Sequence, residues 1–475
     1  MNSMTRIQLS TIVALLALFV GLIAIQLTNS GYLDSVDPWT HRFFTQFAES
    51  RMLYSDTVII HNGQMQQPYL TFMRTVIYLL TQVGQIDTYT LFFYGSLVLR
   101  AVYILLTFAC VLALTRHATT ALICGVLLFT SPYFIFRSYM TFPENIAVLF
   151  FLGLILGFEK YRNSNKAIFL ILVVVSLVGG AYFHPKSLYI SGFIVAGYLL
   201  YFIVNVEFRK VEYTLLSIIV SLFITLPIFP NLTSTVSAVV IDNVGDNSIW
   251  GSFIQGDSRY LPPGVNDYIQ FIGYPVIILS MLGIIRCVRD GIRRNIHLLF
   301  MLACTFTLSL GTHLHIYMPT DRMQAYLYIP LVLIASVYLT SYIKRANHIS
   351  QFFLLILITM FALSTTIDNK PWFALWHGEI PMSEQINILM AENPDAILEI
   401  DGDAIFMSVL MQYPDRICVP YVLEFPWYRP PQKDSIPDCS TADYHLARSN
   451  EPITGYRILA NYDAYFLFTR LDTAR

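Results

Sequence analysis

The sequence predicts a polytopic α-helical membrane protein that ends in a small α/β domain. Three observations predict it. Of its 475 residues, 55% are hydrophobic and only 13% charged, against about 25% charged in soluble chains. Apolar runs of about 20 residues, the length that crosses a bilayer, recur as far as residue 367. From Lys370 onward short segments and polar turns replace them. The net charge of −2 decides nothing by itself, since the position of the charges matters more; with apolar runs of this length the expected partner is the lipid bilayer, with no nucleic acid.

The first run, residues 7–28, follows a short N-terminus whose basic residue is Arg6. It is longer than a signal-peptide core and lacks a small-residue cleavage site, so it reads as a retained span. Further runs at 89–115, 118–136, 143–158, 167–183, 187–206, 211–229, 268–288, 296–312, 323–343 and 349–367 raise the expectation to about 11 spans. Several are short for a full crossing, so the pairs within 118–158 or 167–206 are expected to be tilted or broken. Residues 68–83 are apolar but carry Arg74 at their middle, and read as an interfacial helix on the outer face.

Basic residues set the orientation. With the N-terminus cytoplasmic, the short inner loops receive Arg116, Lys160, Arg162, Lys166, Arg209, Lys210, Arg286, Arg289, Arg293, Arg294, Lys344 and Arg345. The tail then lies outside. The expected organisation is a transmembrane domain over 1–369 and an extracytoplasmic α/β domain over 370–475, in a multi-pass protein of the cell membrane. In the tail, 382–391 reads as a helix with Ser383 as its cap, and 396–400 as a buried strand. Residues 404–411 read as a second helix, and 416–419 and 465–468 as further strands. Of the six cysteines, Cys110, Cys124, Cys287 and Cys304 lie in or at the end of apolar runs, as small core residues do. Cys418 and Cys439 lie in the tail, which outside the cell is a setting for a disulfide.

The unusual polar residues collect on the outer face. The first outer loop holds Asp34, Asp37, His41 and Arg42 just past the first span. The second is Arg137-Ser138-Tyr139-Met140-Thr141-Phe142-Pro143-Glu144-Asn145, and the third His184-Pro185-Lys186-Ser187. The fifth carries His313, His315, Asp321 and Arg322. Within the spans, charge is nearly confined to Arg100, whose ordinary role there is as a buried structural partner.

The order span, short loop, Asp37-Pro38-Trp39-Thr40-His41-Arg42 resembles the first outer loop of oligosaccharyltransferase catalytic subunits and, more broadly, the GT-C superfamily of membrane glycosyltransferases. Ser131-Pro132-Tyr133, Arg137-Ser138 and Phe142-Pro143-Glu144-Asn145-Ile146-Ala147 are similar to that superfamily's second acidic motif. Pro319-Thr320-Asp321-Arg322 is similar to a segment with a functional arginine. The resemblance implies a GT-C-like fold over about residues 1–367 and a sugar donor linked to a polyprenyl phosphate. It implies catalytic roles for Asp37, as base, and Glu144. Oligosaccharyltransferases show two acidic positions in the second motif; this chain has Glu144 beside Asn145, which leaves open a bound divalent metal (Mg or Mn). The tail lacks their Trp-Trp-Asp motif, and Trp427-Tyr428-Arg429 is no substitute.

The residue types suit that chemistry. A lipid phosphate needs cations, and arginine binds phosphate through a bidentate fork. Arg137, Lys186 and Arg322 are the candidates, with His184, His41 and Asp34 completing the substrate-binding set. An acceptor hydroxyl needs a carboxylate within hydrogen-bond reach, the place of Asp37. The expected function is transfer of a sugar to an extracytoplasmic glycan, lipid or protein acceptor with inversion. The alternatives are a transporter or flippase of lipid-linked sugars and an oligosaccharyltransferase proper. A transporter should carry mid-span polar residues and an internal repeat, which this chain does not display.

Overall fold

In the computed structural model, the apolar runs named above are helical over their described residues, apart from breaks at 129–131 and at Gly273 and turns at 167–168, 205–206 and 310. The structure describes residues 3–28, 59–61, 64–66, 71–86, 88–138, 143–184, 187–225, 264–310, 320–368, 379–400, 416–418, 439–447, 451–462 and 465–471. The chain divides into two compact units. One comprises residues 1–26 and 95–369, the other 27–94 and 370–475.

The larger unit is a helix bundle. Its helices are α1 (Ser3–Thr28), α3 (Thr88–Thr115), α4 (Ala118–Leu128), α5 (Pro132–Ser138), α6 (Pro143–Ser164), α7 (Phe169–Phe183), α8 (Ser187–Val204), α9 (Phe208–Thr225), α10 (Val265–Ile272), α11 (Tyr274–Arg289), α12 (Ile292–Ser309), α13 (Thr320–Arg345) and α14 (His348–Asp368). Large apolar side chains face outward, as Leu9, Val13, Leu16 and Val20 do along α1. In water such a stripe would be a liability; toward lipid it is the expected surface. By length and composition, four described helices can cross a membrane, or five if the bent pair α10–α11 counts as one. The helices over 118–128, 169–183 and 188–204 are apolar but shorter.

Inside a bilayer helices associate through close packing and hydrogen bonds, and small residues permit the approach. Gly283 of α11 lies against the backbone carbonyl of Ile334 in α13, where a methyl group would collide. Tighter still is Gly273, between α10 and α11, where the path bends by 104°. Its φ of +88° suits a residue without Cβ, and a side chain there would strike the carbonyl oxygen of Thr130. Thr130 itself lies in the break between α4 and α5. Two interrupted helices therefore meet at their interruptions, and the Ser131 hydroxyl donates to the Phe271 carbonyl at 3.1 Å. For this reason 118–136, within the stretch expected to be tilted or broken, and 268–288, expected as one segment, are each two helices.

The basic residues assigned to inner loops lie at one end of this bundle. Gln8 of α1 reaches Thr119 at 3.5 Å. Arg116 donates to the Asn163 side chain at 3.1 Å, and Lys210 to the Arg162 carbonyl at 3.1 Å. Arg293 caps α8 by donating to the Val204 carbonyl at 3.2 Å.

The smaller unit contains a short hairpin, β1 (Ile59–His61) with β2 (Gln64–Gln66), and helix α2 (Thr71–Gly84), which spans the segment expected to lie at the interface. Its C-terminal part is a helix, α15 (Glu379–Glu392), on a mixed sheet. The sheet order is β4-β3-β5-β7-β6, from β3 (Leu398–Ile400), β4 (Ile417–Cys418), β5 (Tyr444–Ala447), β6 (Tyr456–Tyr462) and β7 (Tyr465–Arg470). β4, β3 and β5 run parallel, while β7 is antiparallel to both β5 and β6. α15 buries Met382, Ile386 and Met390, spaced four apart on one face. Because α15 begins at Glu379, Ser383 is inside the helix and is not its cap. The helix expected at 404–411 lies outside the described residues.

Candidate functional site

The bundle end opposite the basic residues is where the nominated helix termini gather. Arg137 is near the C-terminus of α5 and Glu144 is the second residue of α6. His184 closes α7, its N–H bonded to the Gly180 carbonyl at 2.9 Å, and is 3% exposed. Arg322 is the third residue of α13. Aromatic contacts within two turns of these termini tie them together. Phe150 of α6 meets Phe183 of α7 at 5.5 Å, and Phe151 meets Tyr326 of α13 edge-on at 5.4 Å. Phe134 of α5 is edge-on to Tyr103, Phe129 and Tyr328, at 6.0, 5.6 and 6.4 Å. The Tyr103 hydroxyl donates to the carbonyl of Asn145, the residue after Glu144, at 3.0 Å. On the same end Tyr182 reaches the Ile224 carbonyl at 3.2 Å, and Tyr268 shares a 2.9 Å hydrogen bond with Ser309.

Asp34, Asp37, His41 and Lys186 lie outside the described residues, as do His313 and His315. For Arg137, Glu144 and Arg322 the structure describes the helical backbone. Among the described residues, no group of three or more His, Cys, Asp and Glu side chains is placed to hold a metal ion.

Arg100 adds a charge that the loop motifs do not contain. It is fully enclosed within α3, one turn before Tyr103, and its guanidinium comes within 3.5 Å of the Ser96 hydroxyl. The sequence signal was plain: a lone arginine in an otherwise apolar run.

A second buried polar cluster lies at the basic end. Glu159 of α6 is 1% exposed; it pairs with Arg162 at 2.7 Å and with His297 of α12 at 3.1 Å. It accepts from the Tyr198 hydroxyl of α8 at 2.7 Å. Arg162 lies over the Tyr201 ring at 5.2 Å. Neither Glu159 nor His297 stands out in the sequence, because Glu159 lies just past the run 143–158 among loop-like charges, His297 lies at the start of the run 296–312, and the two are remote from each other.

Residues 97–381 match the EpsG family. The chain belongs to the EpsG family. No curated protein matches the sequence. Among solved structures, this EpsG-family chain is similar to ArnT from Cupriavidus metallidurans bound to undecaprenyl phosphate. The two share 12% identity, with a TM-score of 0.60 over 96% of this chain and 98% of that one. It is also similar to the archaeal oligosaccharyltransferase AglB from Archaeoglobus fulgidus, in complex with an inhibitory peptide and a dolichol-phosphate. There the identity is 12% and the TM-score 0.58, over 92% of this chain and 69% of that one. The GT-C resemblance read from the outer loops is borne out at the level of the fold. The EpsG-family chain is a multi-pass membrane protein.

Proposed function

We propose that this protein is a membrane glycosyltransferase that takes a sugar from a polyprenyl-phosphate carrier and joins it to an acceptor outside the cytoplasm. The observation that carries the proposal is the gathering of the α5, α6, α7 and α13 termini, with Arg137, Glu144, His184 and Arg322, at the bundle end away from the basic residues. The positive-inside rule makes that end extracytoplasmic, with the N-terminus inside and the tail outside. Two solved structures of the same fold, ArnT and AglB, hold undecaprenyl phosphate and dolichol-phosphate, which supports a lipid phosphate as the donor's carrier.

The chemistry follows from the residue types. The Asp37 carboxylate takes the proton of the acceptor hydroxyl. The acceptor oxygen attacks the anomeric carbon, the bond from that carbon to the phosphate oxygen breaks, and the polyprenyl phosphate leaves with the electron pair. Direct displacement inverts the anomeric centre. Arg137, Lys186 and Arg322 hold the phosphate and its developing charge, with His184 and His41 as further donors to it, Asp34 in the substrate-binding set and Glu144 as the second catalytic carboxylate.

The test uses purified full-length protein in liposomes with a labelled polyprenyl-phosphate sugar and a crude acceptor fraction. Release of free polyprenyl phosphate with label in the acceptor is the expected result. Asp37→Asn should abolish release while the protein keeps its melting temperature and lipid-donor binding. Movement of the labelled lipid between leaflets with no bond broken would make the protein a flippase and overturn the proposal.

A further inference from the structure

In the tail, Cys418 and Cys439 are 21 positions apart; the structure holds both as free thiols, near enough for their side chains to interact. Cys418 ends β4, the edge strand, and is fully buried. Cys439 opens the 3-10 turn Cys439–Thr441, half-buried, just before β5. Strand order explains the meeting. β3 lies between β4 and β5, with Leu398 in register with both Ile417 and Tyr444. The turn ahead of β5 therefore reaches back over the start of β3, where the Asp443 N–H donates to the Ile397 carbonyl at 2.9 Å.

β4 needs such a tie. It is two residues long and is held to the sheet by two paired positions, Ile417 with Leu398 and Cys418 with Glu399. A strand this short at a sheet edge has few hydrogen bonds to keep it in register.

We infer that Cys418 and Cys439 are joined as a structural disulfide that fastens β4 to the turn before β5. The inference rests on the extracytoplasmic placement of the tail argued under Proposed function. The oxidant is a disulfide of the extracytoplasmic thiol-oxidising machinery. The Cys439 thiol, the more accessible one, loses its proton and attacks that disulfide, releasing one of its sulfurs as a thiolate. The Cys418 thiol then loses its proton and attacks Cys439 in the mixed disulfide. The products are the Cys418–Cys439 bond and a reduced dithiol carrying the two electrons. Burial, the neighbouring Cys439 thiol and the Glu399 carboxylate all push the Cys418 thiol well above the usual cysteine range.

The experiment blocks free thiols with a maleimide in intact cells, once with a membrane-impermeant reagent and once with a permeant one. The full-length protein is then denatured, reduced and labelled with a second maleimide, and digested for mass spectrometry. Cys418 and Cys439 should escape the first label, take the second, and appear before reduction as one cross-linked peptide pair. Cys439→Ser should lose the cross-link and show the dithiothreitol-treated protein's faster proteolysis of the tail, with no further effect of dithiothreitol. First labelling of Cys439 by the impermeant reagent would overturn the disulfide while leaving the tail outside. Labelling by the permeant reagent alone would overturn both the disulfide and the tail's placement.

Discussion

Glu159 and His297, 138 positions apart, meet at 3.1 Å in the interior of the helix bundle. Arg162, one turn after Glu159, and the Tyr198 hydroxyl take up the rest of the carboxylate. Three helices, α6, α8 and α12, are thereby locked together at the bundle's basic end. Removing one member of a buried ionic group leaves its partners charged and unsatisfied, which costs about 3–5 kcal/mol. Glu159→Ala is expected to lower stability by that amount, and Tyr198→Phe by about 1.5–3 kcal/mol for one hydrogen bond to a charged acceptor. Thermal unfolding in detergent measures both. Because the cluster and the proposed site lie at opposite ends, the fraction of Tyr198→Phe protein that stays folded should keep its donor affinity.

Gly273 allows no side chain. Gly273→Ala places a methyl group on the Thr130 carbonyl at a φ that other residues adopt at a cost of about 1–3 kcal/mol. The expected outcome is loss of folded protein by size exclusion. Gly283→Ala, where the neighbour is the Ile334 carbonyl, should also destabilise by forcing α11 and α13 apart.

Arg416 holds the end of α15. Its Nη1 lies 2.9, 3.0 and 2.7 Å from the carbonyls of Met390, in the helix's last turn, where carbonyls lack helical partners, and of Asn393 and Pro394 just past it. Arg416→Met is expected to cost about 1–3 kcal/mol and to speed proteolysis within the tail. Transfer should fall only as far as folded tail is lost.

Arg322 is proposed to hold the donor phosphate. Arg322→Lys keeps the charge but not the bidentate fork, so KM for the lipid donor should rise about tenfold, with a smaller change in kcat. Arg322→Ala should raise it further and depress kcat. An unchanged KM in both variants would remove Arg322 from the phosphate site.

Much of the fold is legible in the sequence because lipid is a demanding solvent. Backbone groups must pair within each segment, so a long apolar run in a bilayer is a helix, and α3, α13 and α14 follow their runs closely. The tail is harder to read. β3, β4 and β7 were visible as short apolar or β-branched stretches. β5 and β6 were missed, since Tyr444–Ala447 and Tyr456–Tyr462 mix polar and apolar residues without a clear period. Their strand character comes from pairing with β7, a contact that local sequence does not encode. Of the proposed site, Arg137, Glu144, His184 and Arg322 stand out in the sequence because charge beside a span is costly and therefore conspicuous; the structure adds that all four lie at helix ends.

By itself, then, the sequence determined that this is a membrane protein of many helices, with its basic residues on one set of loops and an α/β tail. Composition and run length suffice for that, since each segment meets lipid or water independently. The tertiary structure decided which segments break and which remote residues meet. Gly273 bends because Thr130 occupies the space beside it, and Glu159 is tolerable in the interior because His297 and Arg162 converge on it. Neither follows from local pattern, because the energy of a close backbone approach or a buried charge depends on neighbours that only folding brings together.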